Sequence, residues 1–180
     1  IQVLRVHLKN SEFEPDRFEL SFGKNKKLKE AELSLKDGRK MFLQGVIDRV
    51  DICEEDDQIL MKVIDYKSGM KKFELEDFYY GLEMQLVIYM NAAKEMYKEE
   101  RQNEENKPVI PAGIFYYQLQ DPIIKADHAQ ESELLKNFRM SGLANSDKDI
   151  LNKLEDNEDG FVSMPIRLKK SGEPYKNSPV

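Results

Sequence analysis

The sequence lacks several features that mark whole classes of protein. It has one cysteine and no tryptophan, and a lone cysteine excludes an internal disulfide and a metal cluster built from cysteines. It has no run of about eighteen apolar residues, which a membrane-spanning helix would need. Basic residues are not in excess, because 28 Lys and Arg stand against 34 Asp and Glu. We therefore expect a protein of a reducing compartment, the cytoplasm, that does not hold nucleic acid by bulk positive charge.

Enough apolar material is present for a single folded domain. The chain has 180 residues, of which 40% are hydrophobic, including 9 Phe and 8 Tyr. This length suits one ordinary domain and would be cramped for two. The sequence begins with Ile1 rather than Met and shows no leader pattern. We expect one domain over residues 1–180, excised from a larger subunit.

The strongest local signal is a hairpin of two apolar strands. Residues 41–52 are apolar on both alternating faces, and a second β-branched run covers residues 59–67. The acidic stretch at 54–57 between them predicts a turn. A shorter strand is predicted at residues 1–8.

Helical spacing dominates the middle of the chain. Apolar residues recur at steps of three and four and predict a helix over residues 75–100; they are Phe78, Leu82, Leu86, Tyr89, Ala93 and Met96. A strand is predicted at 112–118, a turn at 121–122, helices at 131–140 and 147–154, and a final strand between Gly160 and Pro165. This order of elements predicts an α/β or α+β layer fold.

Three ionisable residues interrupt the apolar hairpin. Asp65 and Lys67 stand two apart on one strand, so their side chains share a face. The midpoint between Asp48 and Asp65 falls between Asp56 and Asp57, at the centre of the acidic turn. A hairpin that is symmetric about this point places Asp48 directly opposite Asp65, whereas a one-residue bulge would separate them.

Two opposed carboxylates point to a cation. Oxygen ligands of this kind suit Mg²⁺ or Mn²⁺, so we predict Asp48 and Asp65 as metal ligands, with the backbone carbonyl of Tyr66 as a further oxygen. Lys67 on the same face can orient a water molecule and stabilise phosphate charge. The alternative is a buried aspartate–lysine ion pair, with Asp48 accepting hydrogen bonds at the strand end.

A polar pair lies inside the apolar stripe of the long helix. Gln85 and Tyr89 stand four residues apart and share a face. A buried glutamine needs hydrogen-bonding partners. Those partners are either a neighbouring loop or a substrate, and the spacing does not choose between them.

Together these segments resemble a known family. Residues 45–51 (GVIDRVD), 65–69 (DYKSG) and 85–89 (QLVIY) are similar to the successive GxIDRxD, DYKSG and QxxxY motifs of RecB-like nucleases in the PD-(D/E)xK superfamily. The flanks at 15–23 and 113–122 resemble the nuclease domain in the B subunit of the bacterial AddAB helicase–nucleases. The resemblance extends from about residue 13 to residue 166, and it implies an α/β restriction-endonuclease-like core, a central mixed sheet flanked by helices.

The resemblance also implies roles for individual residues. Asp48 and Asp65 correspond to metal ligands, Lys67 to the catalytic lysine, and Gln85 and Tyr89 to residues beside the DNA strand.

Two further residues carry open alternatives. The resemblance places Arg49 near the phosphate path, while the residues alone also allow a salt bridge to Asp51 or Asp65. Glu19 is either an additional acid of the site or a surface glutamate at a strand end.

The implied function is that of a Mg²⁺-dependent (or Mn²⁺-dependent) DNA exonuclease in an ATP-dependent helicase–nuclease complex with an AddA-like partner subunit. Such a complex processes double-strand breaks for recombinational repair. The alternative is a non-catalytic, nuclease-like scaffold that binds DNA or the partner. The family also has a motif histidine upstream and a 4Fe–4S site with one upstream and three downstream cysteines. Cys53 does not match that pattern, so we expect the cluster only in the full-length protein.

Overall fold

The computed structural model describes residues 10–26, 31–34, 37–69, 73–82, 84–101, 107–119, 139–156, 161, 163, 164, 166 and 169. The strands are β1 (Glu14–Phe22), β2 (Ala31–Ser34), β3 (Lys40–Leu43), β4 (Gly45–Glu54), β5 (Ile59–Lys67), β6 (Val109–Gln118) and β7 (Ser141–Ala144). The helices are α1 (Leu75–Tyr79), α2 (Gln85–Glu100) and α3 (Lys148–Leu154).

Five strands form one mixed sheet in the order β1-β4-β5-β6-β7. β5 and β6 run parallel, whereas the other neighbouring strands are antiparallel. A parallel pair needs a crossover connection, and α2 lies in that connection. β2 and β3 form a separate two-stranded sheet. The predicted α/β class with a central mixed sheet is therefore confirmed.

The sheet separates two apolar cores. On one face, α2 packs against the central strands through Leu86, Met90 and Ala93, which meet Val50 and Val63. The core on the other face includes side chains of α3 and is built from the alternate residues of the same strands. Coverage on both faces explains why β5 is buried from Ile59 to Asp65.

The hairpin of β4 and β5 has the register that its acidic turn predicts. The paired residues run from Arg49↔Ile64 to Glu54↔Ile59, so the pairing is centred between Asp56 and Asp57. The pairing ends at Arg49↔Ile64, so Asp48 lies one residue beyond it and accepts there from the Tyr66 N–H. Its position directly opposite Asp65 stays a prediction.

The predicted strand over residues 41–52 is in fact divided at Gln44. β3 pairs with β2, whereas β4 joins the large sheet. Gly45 begins β4 at a close contact, because a Cβ there would lie 3.1 Å from the Phe22 ring and 3.2 Å from the Tyr89 ring. The apolar pattern continues through this change of sheet and therefore does not reveal it.

The predicted helix over residues 75–100 is likewise divided. Gly81 has a φ of +76°, a left-handed conformation that ends helices and favours glycine. Leu82, expected in the apolar stripe, is 75% exposed, so its assignment to the core is wrong. From Leu86 onward the predicted stripe is buried, as expected.

The remaining predictions have mixed outcomes. The strand near residues 112–118 is confirmed and begins three residues earlier, at Val109. The helix at 147–154 is confirmed as α3, whose first turn is capped by the Asp147 carboxylate. The predictions for residues 1–8, 121–122, 131–138, 160 and 165 lie outside the described residues. Of the predicted final strand, Phe161, Ser163 and Met164 are described and lie in no strand, and residues 139–140 of the predicted helix are not helical. In the described part of the chain, every helix is too short or too polar to cross a membrane.

Candidate active site

The open ends of the central strands carry a hydrogen-bonded cluster of polar side chains. Lys67 Nζ lies 2.5 Å from Asp65 Oδ2 and donates to Gln85 Oε1 at 3.1 Å. Gln85 Nε2 in turn donates to Asp65 Oδ1 at 3.3 Å and to the Tyr89 hydroxyl at 2.7 Å. The structure thus brings four of the predicted site residues together on the face of β5 that α2 covers.

Local structure explains this convergence. Asp65 and Lys67 alternate with Tyr66 and therefore point to the same side of the sheet. Gln85 is the first residue of α2, so the helix delivers its amide to the end of β5. Asp65 is buried. The Lys67 side chain is 23% exposed, and its Nζ lies 5.1 Å from the centroid of the Tyr116 ring.

Asp48 reaches the same strand end from β4. Its Oδ2 accepts a hydrogen bond of 2.7 Å from the backbone N–H of Tyr66, the residue between Asp65 and Lys67. Asp48 is partly exposed. The contacts of the alternative interpretation are therefore present: Asp65 pairs with Lys67, and Asp48 accepts a hydrogen bond at a strand end.

The oxygen atoms at this strand end are of the chemical type that binds a hard divalent cation, but there are few of them. Carboxylate and carbonyl oxygens are the preferred ligands of Mg²⁺, which keeps several waters in protein sites. Asp48, Asp65 and the Tyr66 carbonyl provide such oxygens at one strand end. Across the residues that the structure describes, no group of three or more His, Cys, Asp or Glu side chains could hold a metal ion. The described residues therefore offer two carboxylates at most, and their role as metal ligands stays a prediction.

Glu19 lies beside Asp48, on the neighbouring strand β1. The flanking pairs are Phe18↔Arg49 and Leu20↔Ile47, which leaves Glu19 and Asp48 at the unpaired position between them. Glu19 has a φ of +48°, unusual for a non-glycine residue, and its side chain is exposed. Its predicted role as an additional acid stays a prediction.

Arg49 points to the opposite face of the sheet. It is 6% exposed and binds Asp51 through two hydrogen bonds of 2.5 and 2.8 Å. Burial lowers the pKa of Arg49, but the bonds to Asp51 outweigh that effect and its pKa is raised. This is the salt bridge to Asp51 that the residues alone allowed. The side-chain hydrogen bonds of Arg49 go to Asp51 and Tyr66, and none goes to the Lys67 cluster, by which we mean Asp65, Lys67, Gln85 and Tyr89.

Sequence reasoning missed a buried lysine on that opposite face. Lys62 Nζ lies 3.2 Å from Asp51 Oδ2, with the Lys62 side chain 5% exposed. Burial lowers the pKa of Lys62, even though Asp51 acts against that shift. The symmetry that would oppose Asp48 and Asp65 also opposes Asp51 and Lys62, so the signal was available.

Comparison with known proteins agrees with this arrangement. Residues 2–170 match the family model described as the PD-(D/E)XK nuclease superfamily. The chain belongs to this superfamily. Enzymes of the PD-(D/E)XK superfamily generally use divalent metal ions, which fits the oxygen donors of Asp48 and Asp65.

Similar bacterial proteins share one name, that of the B subunit of an ATP-dependent helicase/deoxyribonuclease. The protein of Thermoanaerobacter sp. (strain X514) is 37% identical over 178 residues, which cover 96% of this chain and 15% of that protein. The protein of Acetivibrio thermocellus is 34% identical over 99% of this chain and 16% of its own length. The predicted resemblance is thus confirmed, and this PD-(D/E)XK chain spans about 15% of the length of these relatives.

Proposed function

We propose that this chain is the single metal-dependent deoxyribonuclease domain of a helicase–nuclease subunit. The observation that supports it best is the Asp65–Lys67–Gln85 network at the end of β5. The Asp48 carboxylate binds the backbone N–H of Tyr66, the residue that follows Asp65. An acid, a second acid and a lysine at one strand end match the residue types that phosphodiester hydrolysis requires.

In the proposed mechanism, Asp48 and Asp65 would hold Mg²⁺ or Mn²⁺, with the Tyr66 carbonyl as a third oxygen. The bound ion supplies Lewis-acid activation of the phosphate and lowers the pKa of water. Lys67 Nζ has three donors, of which the contacts to Asp65 and Gln85 engage two. The third is directed at the attacking water or a phosphate oxygen, where the ammonium offsets developing negative charge.

Gln85 and Tyr89 keep Lys67 in place. The Gln85 amide accepts from Lys67 through Oε1 and donates through Nε2 to Asp65 and to the Tyr89 hydroxyl. Both residues therefore act on the reaction by fixing the position of the ammonium beside the DNA strand. Arg49 has no part in this mechanism, since its donors go to Asp51 and Tyr66.

At the level of the whole protein, we propose an exonuclease that works with a helicase partner. The relatives' name supports DNA and an ATP-dependent partner, which we take to be an AddA-like subunit that delivers the strand to be cut. Processing of double-strand breaks for recombinational repair is the role that this combination serves. A 4Fe–4S cluster belongs to the full-length protein in this proposal.

A second candidate is a nuclease-like scaffold that binds DNA or the partner without cleavage. It is favoured by one observation: Asp48 and Asp65 already have partners within the protein, the Tyr66 N–H and Lys67. In that case the cluster would only stabilise the strand end.

The two candidates separate on an acid-to-amide substitution. We expect Asp65→Asn in the full-length subunit, assembled with its helicase partner, to lower Mg²⁺-dependent cleavage of DNA by more than about 10²-fold. Unwinding should continue, because the helicase motor is elsewhere. The matched control is Asp57→Asn in the exposed turn of the same hairpin, which should cleave like the wild type. Unchanged cleavage by Asp65→Asn would favour the scaffold.

A further inference from the structure

Two exposed tyrosines lie at the C-terminal end of α1, where the connection to α2 begins. Tyr79 is 82% exposed and Tyr80 is 75% exposed. Their ring centroids are 5.4 Å apart, with the rings at 83° to each other. Large aromatic rings are normally drawn into cores and interfaces, so a pair held out in solvent indicates a surface that contacts something. We call Tyr79 and Tyr80 the tyrosine pair.

The tyrosine pair is anchored to the Lys67 cluster from its N-terminal side. Phe78 of α1 packs on Phe73 with ring centroids 5.8 Å apart, and Phe73 packs on Tyr116 at 6.4 Å. Lys67 Nζ lies over that same Tyr116 ring. A continuous series of ring contacts thus connects α1 to the lysine.

It is also anchored from its C-terminal side. Gln85 follows Tyr80 by five residues and binds both Lys67 and Asp65. Five residues span at most about 18 Å, which corresponds to about five nucleotides at the 3.4 Å spacing of stacked bases. The tyrosine pair is therefore within a few nucleotides of any phosphate held at Lys67.

We propose that Tyr79 and Tyr80 stack on bases of single-stranded DNA next to the phosphate at Lys67. This inference rests on the proposed function and extends it from chemistry to the form of the substrate. Stacking on aromatic side chains is tolerant of base sequence, because every base has a π-face. Those faces are available in a single strand and are covered inside a duplex, so the pair would select a single strand or a frayed end.

The charges near the pair favour contact with bases over contact with phosphates. α1 carries Glu76 and Asp77 in its first turn and has no basic residue in its last turn. The whole chain has a net charge of −6. A surface of this sign attracts phosphate poorly, so among the described residues of α1 the affinity for DNA has to come from the rings.

The test compares ring removal with ring retention in the full-length subunit assembled with its partner. The substrate is a short single-stranded oligonucleotide, and KM and kcat for cleavage are measured separately. Stacking adds about five-fold or more in affinity per ring, so Tyr79→Ala with Tyr80→Ala should raise KM by about 25-fold. Tyr79→Phe with Tyr80→Phe keeps both rings and should stay within about two-fold of the wild type.

A matched control separates stacking from general apolar contact. Leu82 lies in the same connection and is 75% exposed, but it has no ring. We expect Leu82→Ala to leave KM within about two-fold. An equal rise in KM for Leu82→Ala and the tyrosine variants would overturn the inference and assign the surface to apolar docking of protein.

A second readout does not depend on cleavage. An oligonucleotide that carries 5-iodouracil is irradiated with the Asp65→Asn complex, and cross-linked peptides are mapped by mass spectrometry. Cross-links at Tyr79 or Tyr80 would support stacking, and their absence would overturn it. If the wild type does not cleave DNA but the cross-links form, the proposed nuclease function fails while the stacking surface stands. If cleavage depends on Asp65 but neither readout responds to the tyrosines, only this inference fails.

Discussion

The two faces of the β4–β5 hairpin each carry an ionic cluster, and the clusters differ in their access to solvent. We call Asp65, Lys67 and Gln85 the open cluster, and Arg49, Asp51 and Lys62 the sealed cluster. Lys67 keeps 23% of its side-chain exposure, whereas Lys62 keeps 5% and Asp51 none. Charge within an apolar strand is therefore a poor guide to function, and the position of the charge relative to the strand end is a better one.

The sealed cluster is saturated by its own members. Asp51 accepts two hydrogen bonds from Arg49 and pairs with Lys62. The Lys62 ammonium also lies over the Phe13 ring at 5.0 Å. Both buried cations pair with this one carboxylate, and Glu155 adds a smaller favourable charge near Lys62. Asp51 is therefore the member on which both depend most.

The largest effect that we predict comes from removing that shared carboxylate. Asp51→Asn would leave the buried Arg49 without its counter-charge and Lys62 with only the more distant influence of Glu155, at a cost of about 3–5 kcal/mol in the free energy of unfolding. Urea unfolding of the 180-residue chain measures it. The same substitution in the open cluster, Asp65→Asn, should cost less than about 1 kcal/mol, because Lys67 can turn to water. Equal losses at the two positions would contradict the distinction between the faces.

The sequence predicts the two clusters unequally. The symmetric turn is sufficient to predict the pairing from Arg49↔Ile64 to Glu54↔Ile59, because register follows from the centre of a hairpin. Which side of the strand stays open cannot be read in this way. That depends on where α2 begins. The apolar spacing is continuous through residues 75–100, so it does not reveal the break at the left-handed Gly81, after which α2 begins at Gln85.

The position of Arg49 shows a second limit. Its neighbour Asp48 is a predicted site residue, and the resemblance to the family assigns a role in the site to both residues. Alternation along β4 sends them to opposite faces, and only the contacts to Asp51 and Tyr66 show where the guanidinium goes. Opposite charges two apart on a strand, as in Arg49 and Asp51, allow such a salt bridge, but Asp65 and Lys67 have the same spacing at the open strand end. The spacing alone therefore does not separate the two cases.

A smaller effect is expected from replacing the second cation of the sealed cluster. Lys62→Met keeps the length of the side chain and leaves Asp51 with both Arg49 bonds. Replacing a buried charge by an apolar group of similar volume is often neutral or stabilising. We expect a change of no more than about 1 kcal/mol at neutral pH by urea unfolding, and a loss like that of Asp51→Asn would show that the ammonium is required.

The same variant should change how stability depends on pH. Burial lowers the pKa of Lys62 in the folded chain, against the opposing influence of Asp51. Between that lowered pKa and the unfolded value of about 10.4, the unfolded chain binds more protons, so the free energy of unfolding rises with pH. The wild type should therefore gain stability relative to Lys62→Met as the pH rises toward the unfolded value of about 10.4. Burial raises the pKa of Cys53, which lowers stability as the pH rises. This effect is the same in both proteins and cancels in the difference between their free energies of unfolding. A difference that does not change with pH would contradict the lowered pKa of Lys62.

The smallest predicted effect concerns Tyr66, where the two faces meet. Its backbone N–H donates to Asp48 on the open side, while its hydroxyl accepts from Arg49 Nη1 at 3.4 Å on the sealed side. Tyr66→Phe removes only the hydroxyl, so we expect a loss of about 0.5–1 kcal/mol in stability. Cleavage by the assembled full-length subunit should stay within about two-fold, because Asp48 keeps its N–H donor. A ten-fold fall in kcat would mean that the sealed cluster positions the open one, and the two faces would then be a single coupled site.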